Sequence, residues 1–161
     1  MNIKQFITIF IVILFTSCGI FKSAEELYSE AELKRNNGDS IEALEILKKI
    51  TNKFSDQEKA SKAQYLIAEI YYQDLRDFSK AINEYSILRE KYPQSPQVPF
   101  SLFMQGFIYA NMLSDFEKAR HHYQDFLNIF SNHELAQSVT FELKYLGLEI
   151  QEIPELKHLI K

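Results

Sequence analysis

The chain contains a single cysteine, Cys18, and the position of this thiol is more informative than the count. One thiol excludes an intrachain disulfide and a multi-cysteine metal site. Cys18 follows an apolar run from Phe6 to Phe15, which one positive charge, Lys4, precedes. This order is typical of a secretory signal, and the run is too short to cross a bilayer, which needs about 20 apolar residues. We therefore predict that the chain is exported.

Two adjacent histidines, His121 and His122, are the other residues that could bind a metal. Neighbours on a helix point about 100° apart, so the two cannot hold one ion on one face. His121 precedes Asp125 by four residues, which predicts an ordinary surface pair. The sequence contains no glycine-rich phosphate loop, Gly-x-Ser-x-Gly turn or His-Glu-x-x-His helix. We therefore predict no catalytic residue, no metal and no cofactor.

The composition indicates one folded and mildly acidic domain. The 161 residues are 46% hydrophobic and 25% charged, with a formal net charge of -4. Removal of residues 1–17 would take away only Lys4, which leaves 17 basic and 22 acidic residues, a net charge of -5. Nucleic-acid binding needs a concentrated basic face, so this balance argues against it.

One unit of about 38 residues is repeated three times along the chain, which is the signature of stacked supersecondary units. Residues 65–71 read Tyr-Leu-Ile-Ala-Glu-Ile-Tyr and residues 103–109 read Phe-Met-Gln-Gly-Phe-Ile-Tyr. Residues 77–81 match residues 115–119 in the same register. A weaker first copy aligns Ala43 with Ala81 and Ala119, at spacings of 38 and 38. The repeat therefore predicts the architecture, but it does not name a partner.

Capping signals and helical periodicity predict an all-α chain of paired helices, each about 15 residues long. Four capping boxes are predicted, at Ser23, Ser55, Ser114 and Ser131, and Asp39 and Asp77 start two further helices. The fifth helix is predicted to start between Ser95 and Pro99. The predicted ends lie near Asn36, Phe54, Gln73, Lys91, Met112, Phe130 and Gly147. A last short helix is predicted from Glu152, with Leu156, Leu159 and Ile160 on one side.

These pairs resemble the tetratricopeptide repeat, whose usual unit is about 34 residues. The family's small positions correspond here to Ala31, Ala68 and Gly106 on the first helices and to Ala43, Ala81 and Ala119 on the second. The family's closing proline is present only at Pro93. The resemblance implies a right-handed α-solenoid over residues 23–136, with repeats at about 24–60, 61–98 and 99–136. The six small residues would let facing backbones approach closely.

A C-terminal helix and tail, residues 133–161, would close the solenoid. Its apolar stripe consists of Leu135, Val139, Leu143 and Leu146. A terminal repeat needs a covering helix with a polar outer face, which is the role we predict. The alternative is a docking helix for another subunit.

The resemblance also implies a concave groove lined by the first helix of each pair. Its predicted residues are Tyr28, Arg35, Tyr65, Glu69, Tyr72, Phe103, Phe107 and Asn111. Aromatic side chains are favoured anchors for an extended peptide or a protein partner. The alternative for Phe103 and Phe107 is that they pack under the C-terminal helix, which would cover that end of the groove.

The stretch Phe15-Thr16-Ser17-Cys18-Gly19 resembles the bacterial lipobox. This resemblance implies a signal peptide over residues 1–17, cleavage before Cys18, a lipid on the sulfur of Cys18, and a tether over residues 18–22. Gly19 after the cysteine would favour the outer membrane, with the protein facing the periplasm. The alternative is an uncleaved anchor in which the cysteine is incidental.

The long repeat and the turn Tyr92-Pro93-Gln94-Ser95-Pro96 are similar to two groups of periplasmic repeat proteins. One is the BamD type of outer-membrane assembly lipoprotein, and the other is the CpoB type of Tol-Pal coordinator. The first implies a membrane-anchored scaffold that binds another envelope protein. The second implies a structural or oligomerising subunit of a division or motility complex. The sequence leaves the oligomeric state and the partner open.

Overall fold

The computed structural model of the protein describes residues 22–154 and residue 156. Seven α-helices follow one another in this part of the chain, without a strand. They are α1 (Ala24–Asn36), α2 (Ser40–Lys53), α3 (Glu58–Glu69), α4 (Phe78–Lys91), α5 (Val98–Asn111), α6 (Phe116–Ile129) and α7 (Ala136–Lys144). The all-α prediction is confirmed. The signal peptide, Cys18, the tether up to residue 21, and Leu159 and Ile160 lie outside the described residues.

The helices pair into three hairpins that stack in chain order. α1 packs on α2, α3 on α4 and α5 on α6, and each hairpin contacts the next. The predicted small residues are all buried: Ala31, Ala43, Ala68, Ala81, Gly106 and Ala119. Leu47, Tyr85 and Tyr123 are fully buried at equivalent positions of the three second helices. α7 covers the third hairpin through the buried side chain of Val139.

The turn inside each hairpin repeats the same backbone conformation. Gly38, Arg76 and Ser114 are 38 residues apart, and all have positive φ, at 89°, 53° and 54°. Only glycine adopts this region without a steric cost, so two of the three turns hold a non-glycine residue in it. Asp77 and Asp115 follow these two turns and cap α4 and α6. The capping box predicted at Ser114 is therefore wrong, because Ser114 belongs to the turn and Asp115 is the cap.

The first predicted capping box is present and the second is not. The Ser23 side chain accepts a hydrogen bond from the backbone of Glu26, whose carboxylate accepts one from the Ser23 backbone. At α3 the cap residue is Gln57, without a side-chain cap bond. The Ser55 hydroxyl instead donates to the Asp56 carboxylate. The spacing of Ser55 and Glu58 is compatible with a capping box, but the chain makes a turn at residues 54–57 before α3 begins at Glu58.

α7 is shorter than predicted at both ends. It begins at Ala136 rather than just after Ser131, and it ends at Lys144 rather than near Gly147. The residues between α6 and α7 form turns in which Nδ1 of His133 accepts a hydrogen bond from the backbone of Leu135. A 3-10 turn at Ile150–Glu152 follows α7, where the sequence predicted a start for a last short helix.

The first helix of the second hairpin ends in a π-turn, Ile70–Asp74. The backbone of Leu75 donates to the carbonyl of Ile70 at 3.0 Å, and in the third hairpin Leu113 donates to Ile108 at 3.1 Å. This wider turn adds residues to the end of the helix. It therefore contributes to a repeat that is longer than usual for this fold.

Candidate functional site

The eight predicted groove residues lie on the first elements of the three hairpins. Tyr28 and Arg35 lie on α1, Tyr65 and Glu69 on α3, Tyr72 in the π-turn, and Phe103, Phe107 and Asn111 on α5. Asn111 is exposed and the other seven are partly buried. The structure brings some of them together and gives others different partners.

Arg35 joins the first hairpin to the second. Its guanidinium donates to both carboxylate oxygens of Asp74, at 2.9 and 3.0 Å, and to the side-chain oxygen of Gln73 at 2.9 Å. Glu69 is 3.7 Å from the same guanidinium, and the Ser40 hydroxyl donates to Asp74 at 2.8 Å. We call these five residues the Arg35 clamp. The clamp uses the charges of Arg35 and Glu69 for contact between hairpins, so neither is a free charge in the groove.

The pKa values of the two carboxyl groups in the clamp, Asp74 and Glu69, are shifted in opposite directions. Burial opposes ionisation of Asp74, but hydrogen bonds from Arg35 and Ser40 outweigh it and hold the pKa of Asp74 below its usual value. Burial raises the pKa of Glu69, although Arg35 attracts the charged form. Burial, together with the nearby Glu69 carboxylate, raises the pKa of the Tyr65 hydroxyl as well. Tyr65 and Glu69 are therefore neighbours, as a shared groove requires.

At the aromatic end of the predicted groove, Phe103 packs against the core, whereas Asn111 is exposed. Phe103 stacks on the buried Tyr123, with ring centroids 6.2 Å apart and the ring planes inclined by 30°, and packs against the core that includes Val139. Phe103 therefore packs on the second helix of its own hairpin. Phe107 lies farther along α5, with its ring 6.0 Å from Phe103. Asn111 donates to the carbonyl of Phe107 at 3.1 Å, which leaves its side-chain oxygen for other contacts.

Two tyrosines of the predicted groove have partners within the first two hairpins. The Lys59 ammonium lies 4.6 Å from the centre of the Tyr28 ring, a cation–π contact. Burial and the neighbouring carboxylates raise the pKa of Tyr28 to about 12. Tyr72 packs on Phe78, with ring centroids 6.1 Å apart. Both side chains are therefore positioned by the fold and remain partly exposed.

The two histidines have separate environments. His121 is exposed and lies 3.4 Å from Asp125, the surface pair that the sequence predicted. His122 stacks on Tyr109 at 5.4 Å, and burial lowers its pKa to about 4, so it is neutral at physiological pH. The described residues contain no group of three or more His, Cys, Asp or Glu that could hold a metal ion.

Comparison with known proteins gives the family. A family model described as an outer membrane lipoprotein, YfiO, matches residues 21–141. This span is 121 of the 161 residues. The chain belongs to the YfiO family. Membership places the protein at the outer membrane as a lipoprotein, in agreement with the predicted localisation.

Relatives of this YfiO-family chain include the outer membrane protein assembly factor BamD of Neisseria meningitidis serogroup B and of Neisseria gonorrhoeae. Each is 27% identical over 89 residues. The match covers 55% of this chain and 33% of each relative, so the chain spans about a third of the relatives' length.

The described part of this YfiO-family protein has no helix long and apolar enough to cross a membrane. A lipid on a cysteine needs no such helix, because acyl chains attach a protein at about 0.8 kcal/mol per buried methylene. The predicted attachment residue, Cys18, precedes the first described residue, Lys22.

The sequence did not reveal most of the Arg35 clamp. Asp74 is 39 residues from Arg35 and Ser40 is 34 residues from Asp74. The one available signal was the repeat itself, since residues 38 apart occupy equivalent places in adjacent hairpins.

Proposed function

We propose that this YfiO-family protein is a lipid-anchored scaffold that binds another envelope protein during outer-membrane protein assembly. The observation that carries the proposal is the similarity to BamD, together with the stacked hairpins that present their first helices side by side. A stack of this kind offers an extended surface for a partner. The role is one of binding and not of catalysis.

Phe107 is the aromatic residue of the predicted groove that best fits a partner anchor. Its ring contacts Phe103, and its backbone carbonyl accepts a hydrogen bond from Asn111, which is exposed. Phe103 itself packs on Tyr123, so its truncation would disturb the core. A test of the groove therefore uses Phe107, with an exposed apolar residue of a second helix, Ile129, as the control.

We expect Phe107→Ala to reduce recovery of an assembly partner by about tenfold, since buried aromatic anchors contribute about 1–2 kcal/mol or more. The full-length protein and its variants are crosslinked in membranes and purified, and the captured proteins are identified by mass spectrometry. Ile129→Ala should retain the partner, and the melting temperature of both variants should stay close to that of the parent. Capture of Tol-Pal components, equally by parent and Phe107→Ala, would contradict both the assembly role and the groove.

Cys18 is proposed as the lipid attachment site. We expect Cys18→Ser to abolish incorporation of radiolabelled palmitate and to leave the chain unprocessed, because the thiol is the group that accepts the lipid. Ser17→Cys combined with Cys18→Ser is the matched control, since it keeps one cysteine but moves it by one position. Normal processing of Cys18→Ser, at the parent's gel mobility, would identify an ordinary signal peptide.

A further inference from the structure

A cavity of about 480 Å³ lies at the C-terminal end of the described chain. It is open to solvent on one side and is lined by the end of α5, the start of α6, α7 and the segment that follows α7. Most of its lining residues are apolar, although polar groups contribute about half of the exposed lining surface. Four of the apolar residues are large and substantially exposed: Phe116, Phe141, Leu148 and Ile150. This volume is in the range of about 300–1,000 Å³ that is usual for ligand pockets. The cavity is thus large enough to receive several side chains.

The exposure of these four residues is unusual for the end of a solenoid. Each is between 37% and 48% exposed, and all four converge on the same cavity. A terminal repeat normally presents a polar outer face to water. Here α7 buries Val139 against the third hairpin but leaves Phe141 facing the cavity. The described part of the stack therefore retains an apolar face beside α7 on which a further helix could pack.

The charged residues of the cavity wall are all acidic. Among the described lining residues, Glu142 and Glu149 carry carboxylates and no lysine or arginine is present. Glu142 is partly buried, and the burial raises its pKa. Glu142 interacts with the Tyr123 hydroxyl. A carboxylate in such a place is stabilised by an incoming positive charge.

We propose that this cavity binds an amphipathic helix of a partner protein, with apolar residues on one face and a lysine or arginine beside them. The apolar face would cover Phe116, Phe141, Leu148 and Ile150, and the basic residue would pair with Glu142. A helix fits better than an extended peptide because the surface is the end of a helical stack and contains no strand edge. The site adjoins the aromatic groove around Phe107 at Asn111, which also lines the cavity. The proposal does not depend on a role in assembly.

The test is a binding titration on the full-length lipidated protein in nanodiscs of neutral phospholipid. The probe is a fluorescent amphipathic helix of leucine, alanine and lysine, about 18 residues or five turns long. Two matched peptides replace lysine by glutamate or scramble the order so that the apolar face is lost. Empty nanodiscs give the contribution of lipid to the fluorescence anisotropy, which is subtracted.

We expect the basic helix to bind at least about tenfold more tightly than either matched peptide, since both the apolar face and the charge contribute. Leu148→Asn should weaken binding by about tenfold, because Leu148 is exposed and its loss leaves the fold intact. Glu142→Gln should remove most of the preference for lysine over glutamate while the scrambled peptide stays weak. The matched control is Ile41→Asn, which replaces an exposed apolar residue of the first hairpin and should change nothing.

Several results would overturn the proposal. Equal affinity for the lysine and glutamate helices would exclude the role of Glu142, and equal weakening by Ile41→Asn would exclude a defined site. A chain that ends at Leu156 and binds the probe more than about tenfold tighter would show that residues 157–161 occupy the cavity themselves. A solution mass that rises with concentration in the parent, but not in Leu148→Asn, would identify a second copy as the occupant.

Discussion

Gly106→Ala is expected to destabilise the protein, although alanine is the better helix former. A Cβ atom at Gly106 would lie 2.6 Å from Cε1 and 2.7 Å from Cδ1 of Tyr123. The Tyr123 ring is fully buried and lies against Phe103, so it has little room to move. Overpacking of this kind costs about 1–3 kcal/mol, against a gain in helix propensity of about 0.8–1.0 kcal/mol. We expect a net loss of up to about 2 kcal/mol in the free energy of unfolding, measured by urea denaturation.

A double variant separates this packing effect from other causes. Tyr123→Leu shortens the side chain that meets the new methyl group, and the first hairpin already combines Ala31 with Leu47 at the equivalent positions. Gly106→Ala should therefore be neutral or stabilising in the Tyr123→Leu background, with a coupling energy of about 1–3 kcal/mol. Gly38→Ala is the control, because Gly38 has φ of 89° and open space around its Cα, and Tyr123→Leu should not rescue it. A single Gly106→Ala variant more stable than the parent would refute the close approach.

The sequence was sufficient to predict the hairpins because the spacing of small residues and the helix-capping residues both agreed with the repeat. The alanines at 43, 81 and 119 recur at a constant spacing, and all three are buried between helices. Asp77 was predicted to start the fourth helix, and its side chain caps the backbone of Lys80 at 3.1 Å. These signals are local, so they are readable without knowledge of the tertiary structure.

The helix caps predicted at Ser114 and Ser131 are wrong because the turn geometry overrides the local sequence pattern there. Serine followed three residues later by glutamate occurs at Ser114 and Ser131, but Ser114 is held at positive φ and the turn after α6 extends to Leu135. A capping box requires an extended backbone at the serine, which the hairpin turn does not provide at Ser114. The π-turn at Ile70–Asp74 had no sequence signal at all.

The candidate sites required contacts that periodicity does not specify. Periodicity placed Arg35 and Glu69 on the first helices, but it could not show that Arg35 would pair with both Glu69 and Asp74 of the next hairpin. The cavity at the C-terminal end depends on how residues 147–154 and Leu156 lie beside α7, and these residues have no repeat partner in the chain. Faces of helices are therefore predictable from the sequence here, whereas contacts between hairpins and at the end of the stack are not.

Arg35→Met is expected to be the most destabilising change in the Arg35 clamp. It removes the cation that meets Asp74 in two hydrogen bonds and lies near Glu69, and the three side chains are only 18–24% exposed. Loss of one partner of a buried ion pair costs about 3–5 kcal/mol, and partial exposure reduces this to about 1–3 kcal/mol. Lys34→Met is the matched control, because Lys34 pairs with Glu42 on the surface, and it should cost less than about 1 kcal/mol.

The difference in the free energy of unfolding between the parent and Arg35→Met should become smaller at acidic pH. The pKa of Asp74 is lowered in the folded protein, so its contribution to stability is present above the unfolded pKa of about 4 and is lost as the pH falls through the folded value. Glu69 acts in the same direction, because without Arg35 its already raised pKa rises further and protonation relieves the buried charge. Urea denaturation of the parent and of Arg35→Met, at pH 7 and near pH 3, measures this difference at each pH. A cost of Arg35→Met that stays constant between these pH values would show that the clamp stabilises the hairpins through packing of the arginine side chain and not through its charge.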